Sequence, residues 1–230
     1  MINFKGRHFT KPIILLVVRW YIAYALSYRN IEEMMKERGI SVDHATINRW
    51  VIEYAALLEK EFRNKHKRST GMSWRMDETY IKNKGKWGFL YRAVDKEGDT
   101  VDFMFSAKRD RKAALSFFKK AIGSNGLPYA VTIDKSGANN AALEQLNELF
   151  LLSNLCFLFI TIRQVKYLNN IVEQDHRHIK RIIKPMLGFK SFASAKATIA
   201  GVELHHMLRK GQMADAANMP IWKQFYALAA

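Results

Sequence analysis

The sequence predicts an α/β chain in two parts: an N-terminal helix-turn-helix unit, then a mixed β-sheet flanked by helices. Three observations predict it. The first third places apolar residues at helical spacing between capping residues. Residues 74–106 read as three successive strands separated by turn signals. Beyond them, helical stretches alternate with short apolar runs, giving the order β-β-β-α-β-α-β-α-α from Trp74 onward, which argues for a sheet with helices on its faces.

Pro12 suits the first turn of a helix reaching about Tyr24. Ser27 is a candidate N-cap for a helix over Asn30 to Arg38, where Ile31, Met34 and Met35 have helical spacing. Gly39 fits a C-cap at positive φ, and Asp43 can cap a third helix from Ala45 to about Phe62. Ile47, Trp50, Val51 and Tyr54 line one face of it. The strands are Trp74–Ile81, Trp87–Asp95 after a Lys84-Gly85 turn, and Thr100–Ser106 after a turn at Gly98. A helix over Arg111–Ile122, a strand over Tyr129–Ile133, a helix over Ala138–Leu149 and a strand within Leu151–Val165 follow. A long helix from Asn170 is stopped by Pro185, and a last one covers Ala193–Arg209. The aromatics Trp74, Trp87, Tyr91, Phe103 and Phe105 are expected to fill the core.

Bulk numbers narrow the function. The 230 residues suffice for one large domain or two small ones, and 49% apolar content sustains a packed core. With 37 Lys and Arg against 21 Asp and Glu, the net charge of +16 favours a polyanionic partner, because neutralised phosphates release counterions. The single cysteine, Cys156, rules out a disulfide within the chain and a Cys-based zinc site. Ile13–Val18, followed by Arg19, is too short for the apolar core of a signal peptide, and the interrupted apolar stretch Leu149–Ile162 falls short of the ~20 residues of a membrane span. A phosphate-binding loop of the G-x-x-x-x-G-K type and a G-x-S-x-G nucleophile elbow are both missing.

A helix, a tight turn with Gly39 and a second capped helix form a helix-turn-helix pattern, whose second helix enters the major groove by its N-terminal part. With Ile47 facing inward, His44, Thr46, Asn48 and Arg49 are the candidates for bases or phosphates.

Three acidic residues stand at chemically suggestive places. Asp77 lies in the alternating strand around Met76, Asp134 ends the apolar strand VTID, and Glu173 opens the long helix. Three hard oxygen donors on separate elements suit Mg²⁺ or Mn²⁺, and two ions roughly 4 Å apart would serve phosphodiester cleavage and strand transfer. Glu173, Arg177 and Lys180 share one helical face, a carboxylate for metal beside two cations for phosphate, with His176 near that stripe and Arg181 adjoining it. Asn169 and Asn170 stand where they cap the helix or touch DNA. Among the other carboxylates, Glu78 is expected on the opposite sheet face from Asp77, Asp95 and Asp102 in solvent at a turn, and Asp175 turned away from Glu173. Neither His176 with His178 nor His205 with His206 shares a helical face, so neither makes a metal pair.

Taken together, the segments FKGRHF, VRWY, SYRNIEEMMKERGISVDHATINRWV, MDETYIK, YRAVDKEG, TIDKSGA, VKYLNNIVEQDHRHIKRI, LGFKSFASAKATI and LRKGQ resemble the DDE transposases of the sixth insertion-sequence family in bacteria, and they run in order over nearly the whole chain. The resemblance implies a ribonuclease-H-like catalytic core holding two divalent ions on Asp77, Asp134 and Glu173, with Lys180 at the family's basic position. It further implies terminal-inverted-repeat and target duplex DNA as partners, a homo-oligomer that joins two ends, and a cytoplasmic protein acting on nucleoid DNA. One departure is the 38 residues (135 through 172) between Asp134 and Glu173, longer than is usual in the family. That keeps an alternative in view: a catalytically decayed copy that only binds DNA. The expected domains are a helix-turn-helix domain over 1–60, a basic linker over 61–72, the catalytic domain over 73–212 and a tail over 213–230.

Overall fold

A computed structural model of the chain describes residues 2–135, 137–155, 158–216 and 218–230; Cys156 lies outside them. Two compact units result, one of residues 1–68 with 178–230, the other of 69–177.

In the first unit, α1 (Lys11–Ala23) carries Pro12 in its first turn. Ser27 caps α2 (Tyr28–Lys36) reciprocally with Asn30: the Ser27 Oγ accepts the Asn30 N–H and the Asn30 Oδ1 accepts the Ser27 N–H. Gly39 turns the chain at φ 72°. Asp43 then caps α3 (His44–Glu61), its Oδ1 accepting the Ala45 and Thr46 N–H groups. Of the expected apolar faces, Ile31, Met35, Ile47, Trp50, Val51 and Tyr54 are buried in a core and Met34 is half-buried.

The rest of this unit divides the chain differently from the expected domains. Helix α3 runs on through a π-helical turn, Phe62–His66, in which Phe62 is fully buried, and Lys67 bridges to Met213. The first half of the expected linker is therefore folded. Helix α7 (Phe192–Arg209) packs on α3 and α1. Gly201 permits the close approach, since a Cβ there would stand 2.8 Å from both the Ala55 Cβ and the Ile22 Cγ2. The expected tail contains a further helix, α8 (Ile221–Ala227), anchored by the fully buried Phe225.

The second unit is a five-stranded mixed sheet in the order β3-β2-β1-β4-β5. Strands β1 (Ser73–Asn83), β2 (Lys86–Asp95) and β3 (Thr100–Ser106) form an antiparallel meander; β4 (Ala130–Thr132) and β5 (Thr161–Arg163) add in parallel. The parallel strands need crossovers, supplied by α4 (Arg111–Asn125) and α5 (Gly137–Leu152). Trp74, Met76 and Tyr91 from the sheet meet Phe117 and Phe118 of α4 and Leu143 of α5 in one apolar cluster. Each such side chain contributes about 1.5–3 kcal/mol by leaving water. Helix α6 (Asn170–Ile183) gives its residues up to Arg177 to this unit and the remainder to the other. The element order from β1 to α7 is the expected one. No described helix is long and apolar enough to cross a membrane.

Two acidic residues expected in solvent are buried instead. Asp102, fully buried, takes a bond from the Lys120 Nζ at 2.6 Å. Asp95, 2% exposed, accepts the backbone N–H groups of Gly71, Glu97 and Asp99 at 2.8, 3.1 and 2.8 Å. Short turns leave amide donors without partners, and a carboxylate that satisfies several of them tolerates burial. It also ties the start of β1 to the β2–β3 turn. Asp95→Ala therefore removes the carboxylate acceptor of three amides and is expected to lower stability by about 2–4 kcal/mol, read as the shift in denaturant midpoint with an unchanged slope.

Candidate active site

Strand β1 pairs with β4 only at Ser73–Arg75, because β4 ends at Thr132. Beyond that point no described strand pairs with β1 on its β4 side. Asp77 and Glu78 follow on β1, and Asp134 stands just past the end of β4, where the Ile133 N–H still bonds to the Arg163 carbonyl oxygen at 2.9 Å. One carboxylate oxygen from each of Asp77, Glu78 and Asp134 lies within 4.8 Å of the other two.

Glu78 corrects the expectation drawn from strand alternation. Its Cα–Cβ bond does start on the face opposite to that of Asp77. At an edge with no neighbouring strand, however, two side chains of opposite orientation can bend around the backbone to a common point. Glu173, exposed in the first turn of α6, adds its negative charge to the field at Asp77 but is not one of the three converging carboxylates.

Electrostatics at the cluster are unfavourable by construction. Burial, followed by the charges of Glu78, Asp134 and Glu173, pushes Asp77 up from 3.8 to about 7, against a bond from the Glu78 backbone that lowers it. Burial likewise raises Glu78, while Arg109 opposes the rise. The Arg109 guanidinium is the main counter-charge: it lies 3.4 Å from the Glu78 Oε2, 3.7 Å from the Asp134 Oδ2 and 3.2 Å from the Tyr80 hydroxyl. On the α6 side, the His176 Nδ1 lies 3.6 Å from the Asp77 Oδ2, and fully buried Arg92 bonds Asp175 at 2.6 Å, fixing α6 to β2. The Asn169 amide, buried, donates to the Met76 carbonyl oxygen at 3.3 Å. His178 belongs to neither cluster; its ring stacks on His206 at 4.1 Å, and burial lowers it to about 3.

The donor set fits a divalent cation. Three hard oxygens within one ion's span, held together against their own repulsion, are what Mg²⁺ or Mn²⁺ coordination requires. The remaining predicted residues are on the first unit or on α6. His44 is exposed and 3.0 Å from the Glu32 carboxylate. Thr46 donates its hydroxyl to the Asp43 cap, and Arg49 donates to Thr46 at 2.7 Å. Asn48 is half-buried beside Tyr28. Arg177, Lys180 and Arg181 are exposed on α6.

Comparison with known proteins agrees with this geometry. A family model described as "DDE domain", for transposases of the IS240 kind, matches residues 71–212, which contain every converging carboxylate. The chain belongs to the insertion-sequence transposases that carry a DDE domain. A second model, "Transposase IS66 family", matches residues 7–130. The transposase is 42% identical over 207 residues to that of the insertion sequence-like element IS431mec of Staphylococcus aureus, covering 90% of this chain and 88% of the relative. The match to the transposase of IS257 in transposon Tn4003 of Staphylococcus aureus has the same identity and coverage. The catalytic core domain of BIV integrase is 18% identical with a TM-score of 0.40, covering 59% of this chain and 84% of that one, a likeness too distant to add to the assignment. Membership makes the transposase an enzyme of the polynucleotidyl transferase type.

The raised Asp77 has a measurable consequence. Its folded value of about 7 exceeds the ordinary 3.8, so ionising it in the fold is costly. That cost is fully present above pH 7, shrinks as pH falls through 7, and vanishes below 3.8. Asp77→Asn should therefore stabilise the metal-free transposase more at pH 8.5 than at pH 4.5, by about 2–3 kcal/mol, as read by chemical denaturation at the two pH values.

Proposed function

We propose that this transposase binds the terminal inverted repeats of its insertion sequence and cuts and joins DNA strands with Asp77, Asp134 and Glu173 as its catalytic carboxylates. The observation that carries this reading is the convergence of Asp77 and Asp134 at the edge of β1 beyond its pairing with β4, inside the segment matched by the DDE-domain model. Bound at these carboxylates, a pair of Mg²⁺ or Mn²⁺ ions would supply Lewis acidity at the scissile phosphate and ease deprotonation of water or a 3′-hydroxyl.

In this reading Asp77 and Asp134 are the central ligands, and Glu173 joins from the start of α6. Glu78 is engaged by Arg109 and holds the guanidinium beside Asp134. His176 braces the Asp77 carboxylate from the α6 side. Arg177, Lys180 and Arg181 are phosphate contacts. The α2–turn–α3 unit reads the inverted repeats through His44, Thr46, Asn48 and Arg49, since these stand in the first two turns of α3, the part a groove-reading helix uses, with His44 and Arg49 exposed and Thr46 and Asn48 half-buried. More than one copy would act together to join two ends.

One observation favours the second reading, a copy that occupies DNA ends without cutting them: Glu173 lies outside the three converging oxygens. Nicking of an inverted-repeat duplex separates the two. With Mg²⁺ the transposase is expected to nick at the repeat end. Asp77→Asn, Asp134→Asn and Glu173→Gln should each lose at least about a thousandfold in rate, a loss of about 4 kcal/mol in transition-state stabilisation, with repeat binding retained. Glu78→Gln should lose less. Binding by the folded wild type with no nicking at any divalent ion would establish the second reading.

A further inference from the structure

The face of β1 that carries Glu78 continues outward through Tyr80 and Lys82 to the tip of the β1–β2 hairpin. Opposite them on β2 stand Tyr91, Phe89 and Trp87, paired with Glu78, Tyr80 and Lys82 in register. Tyr91 is fully buried, but Tyr80 is 51% exposed and Trp87 is 61% exposed, although Trp87 was expected in the core. Their rings form a small aromatic group: Tyr80 meets Trp87 edge-on at 6.2 Å and Phe89 at 5.3 Å. The hairpin closes on Lys84 and Gly85, both at positive φ, as a two-residue turn of the primed kind demands. Lys82, Lys84 and Lys86 stand exposed around it.

An indole left mostly in water by a tightly closed hairpin is a preorganised flat surface, and three exposed lysines on the same hairpin suit a chain of phosphates. The group is also wired to the carboxylates, since Arg109 bonds the Tyr80 hydroxyl at 3.2 Å while lying 3.4 Å from Glu78 and 3.7 Å from Asp134. We infer that Trp87 and Tyr80 form a stacking platform for an unpaired nucleotide of the DNA strand at the active site, with Lys82, Lys84 and Lys86 along its phosphates. Inside a duplex both faces of every base are covered by neighbours, and the outer face of a blunt terminal pair is held in place by its pairing, whereas a base at an overhang or a melted end is free to turn onto the rings. Stacking on an aromatic side chain is tolerant of sequence, so the platform would hold the strand without selecting it.

This inference rests on the DNA-processing reading above, and the test keeps the two apart. The full-length protein in EDTA, where no cleavage occurs, is titrated with a labelled single-stranded oligothymidylate, an inverted-repeat duplex bearing a short 3′ overhang, and the same duplex with blunt ends. Trp87→Ala is expected to weaken binding of the single strand and the overhang duplex roughly tenfold and to leave blunt-duplex affinity within about twofold. Trp87→Phe, which keeps an aromatic face, should recover most of the loss. A 2-aminopurine in the overhang should be quenched by the wild type and not by Trp87→Ala. Unchanged overhang binding in Trp87→Ala, an equal loss on blunt duplex, or failure of Trp87→Phe to recover binding overturns the platform. Nicking that persists alongside such a result leaves the catalytic reading intact, and a platform effect without nicking does the converse.

Discussion

Everything at the candidate active site depends on the early end of one strand. A central strand normally has both edges occupied, and its side chains are then held to strict alternation between two faces. Here β4 stops at Thr132 while β1 runs on to Asn83, so β1 has a neighbour on both sides only as far as Arg75. The gap admits carboxylates from both faces of β1 and from the end of β4 to one point. Asp77 and Glu78 are largely buried there, and burial raises both in pKa. Glu78 is held at the gap by a guanidinium, and Asp77 is pushed up mainly by burial.

The same gap sets an electrostatic problem that the rest of the chain answers. A phosphodiester approaching three carboxylates is repelled, and a net charge of +16 distributed over the protein attracts it. Long-range attraction brings the polyanion near, but it is screened over about 10 Å in ordinary salt, so contact at the site needs local positive charge. Among the described residues Arg109 provides it from the N-terminal side of α4, and a divalent cation would supply more. Arg109 is only one-third exposed at its side chain (34%), so its attraction to the acids is less screened than that of a surface lysine.

Sequence reading recovered most of this structure where the controlling interaction is local. Ser27 and Asp43 cap the helices they were expected to cap, and Lys84-Gly85 closes the expected hairpin, because each bonds or bends within a few residues of itself. Asp77 and Asp134 were legible together, Asp77 from its place within an alternating strand and Asp134 from the end of an apolar one. The misreadings share one cause, which is distance along the chain. Asp95 is buried because Gly71, twenty-four residues earlier, presents an amide to it. Glu78 joins the cluster because a strand some fifty residues later is too short to cover it. The packing of α7 onto α3 depends on Gly201 meeting Ala55, a contact no periodicity encodes. Helix α8 spans too few residues to show a repeat, and only Pro220 before it marked a boundary.

Trp87 shows how such a misreading becomes informative. Aromatic residues in alternating strands are usually core, and four of the five expected there are. The fifth departs because the helices that cover this face of the sheet do not reach the hairpin tip: the apolar cluster formed with α4 and α5 includes Tyr91 and packs against Phe89, but stops short of Trp87. An exposed indole on a rigid hairpin has an unsatisfied apolar surface that folding alone does not explain. Its covalent neighbourhood, with Lys86 on one side and Lys82 across the ladder, makes a purely apolar occupant unsuitable. A ligand that is flat and apolar on its faces and negatively charged along its edge suits both features, and a nucleotide with its base unstacked has these properties.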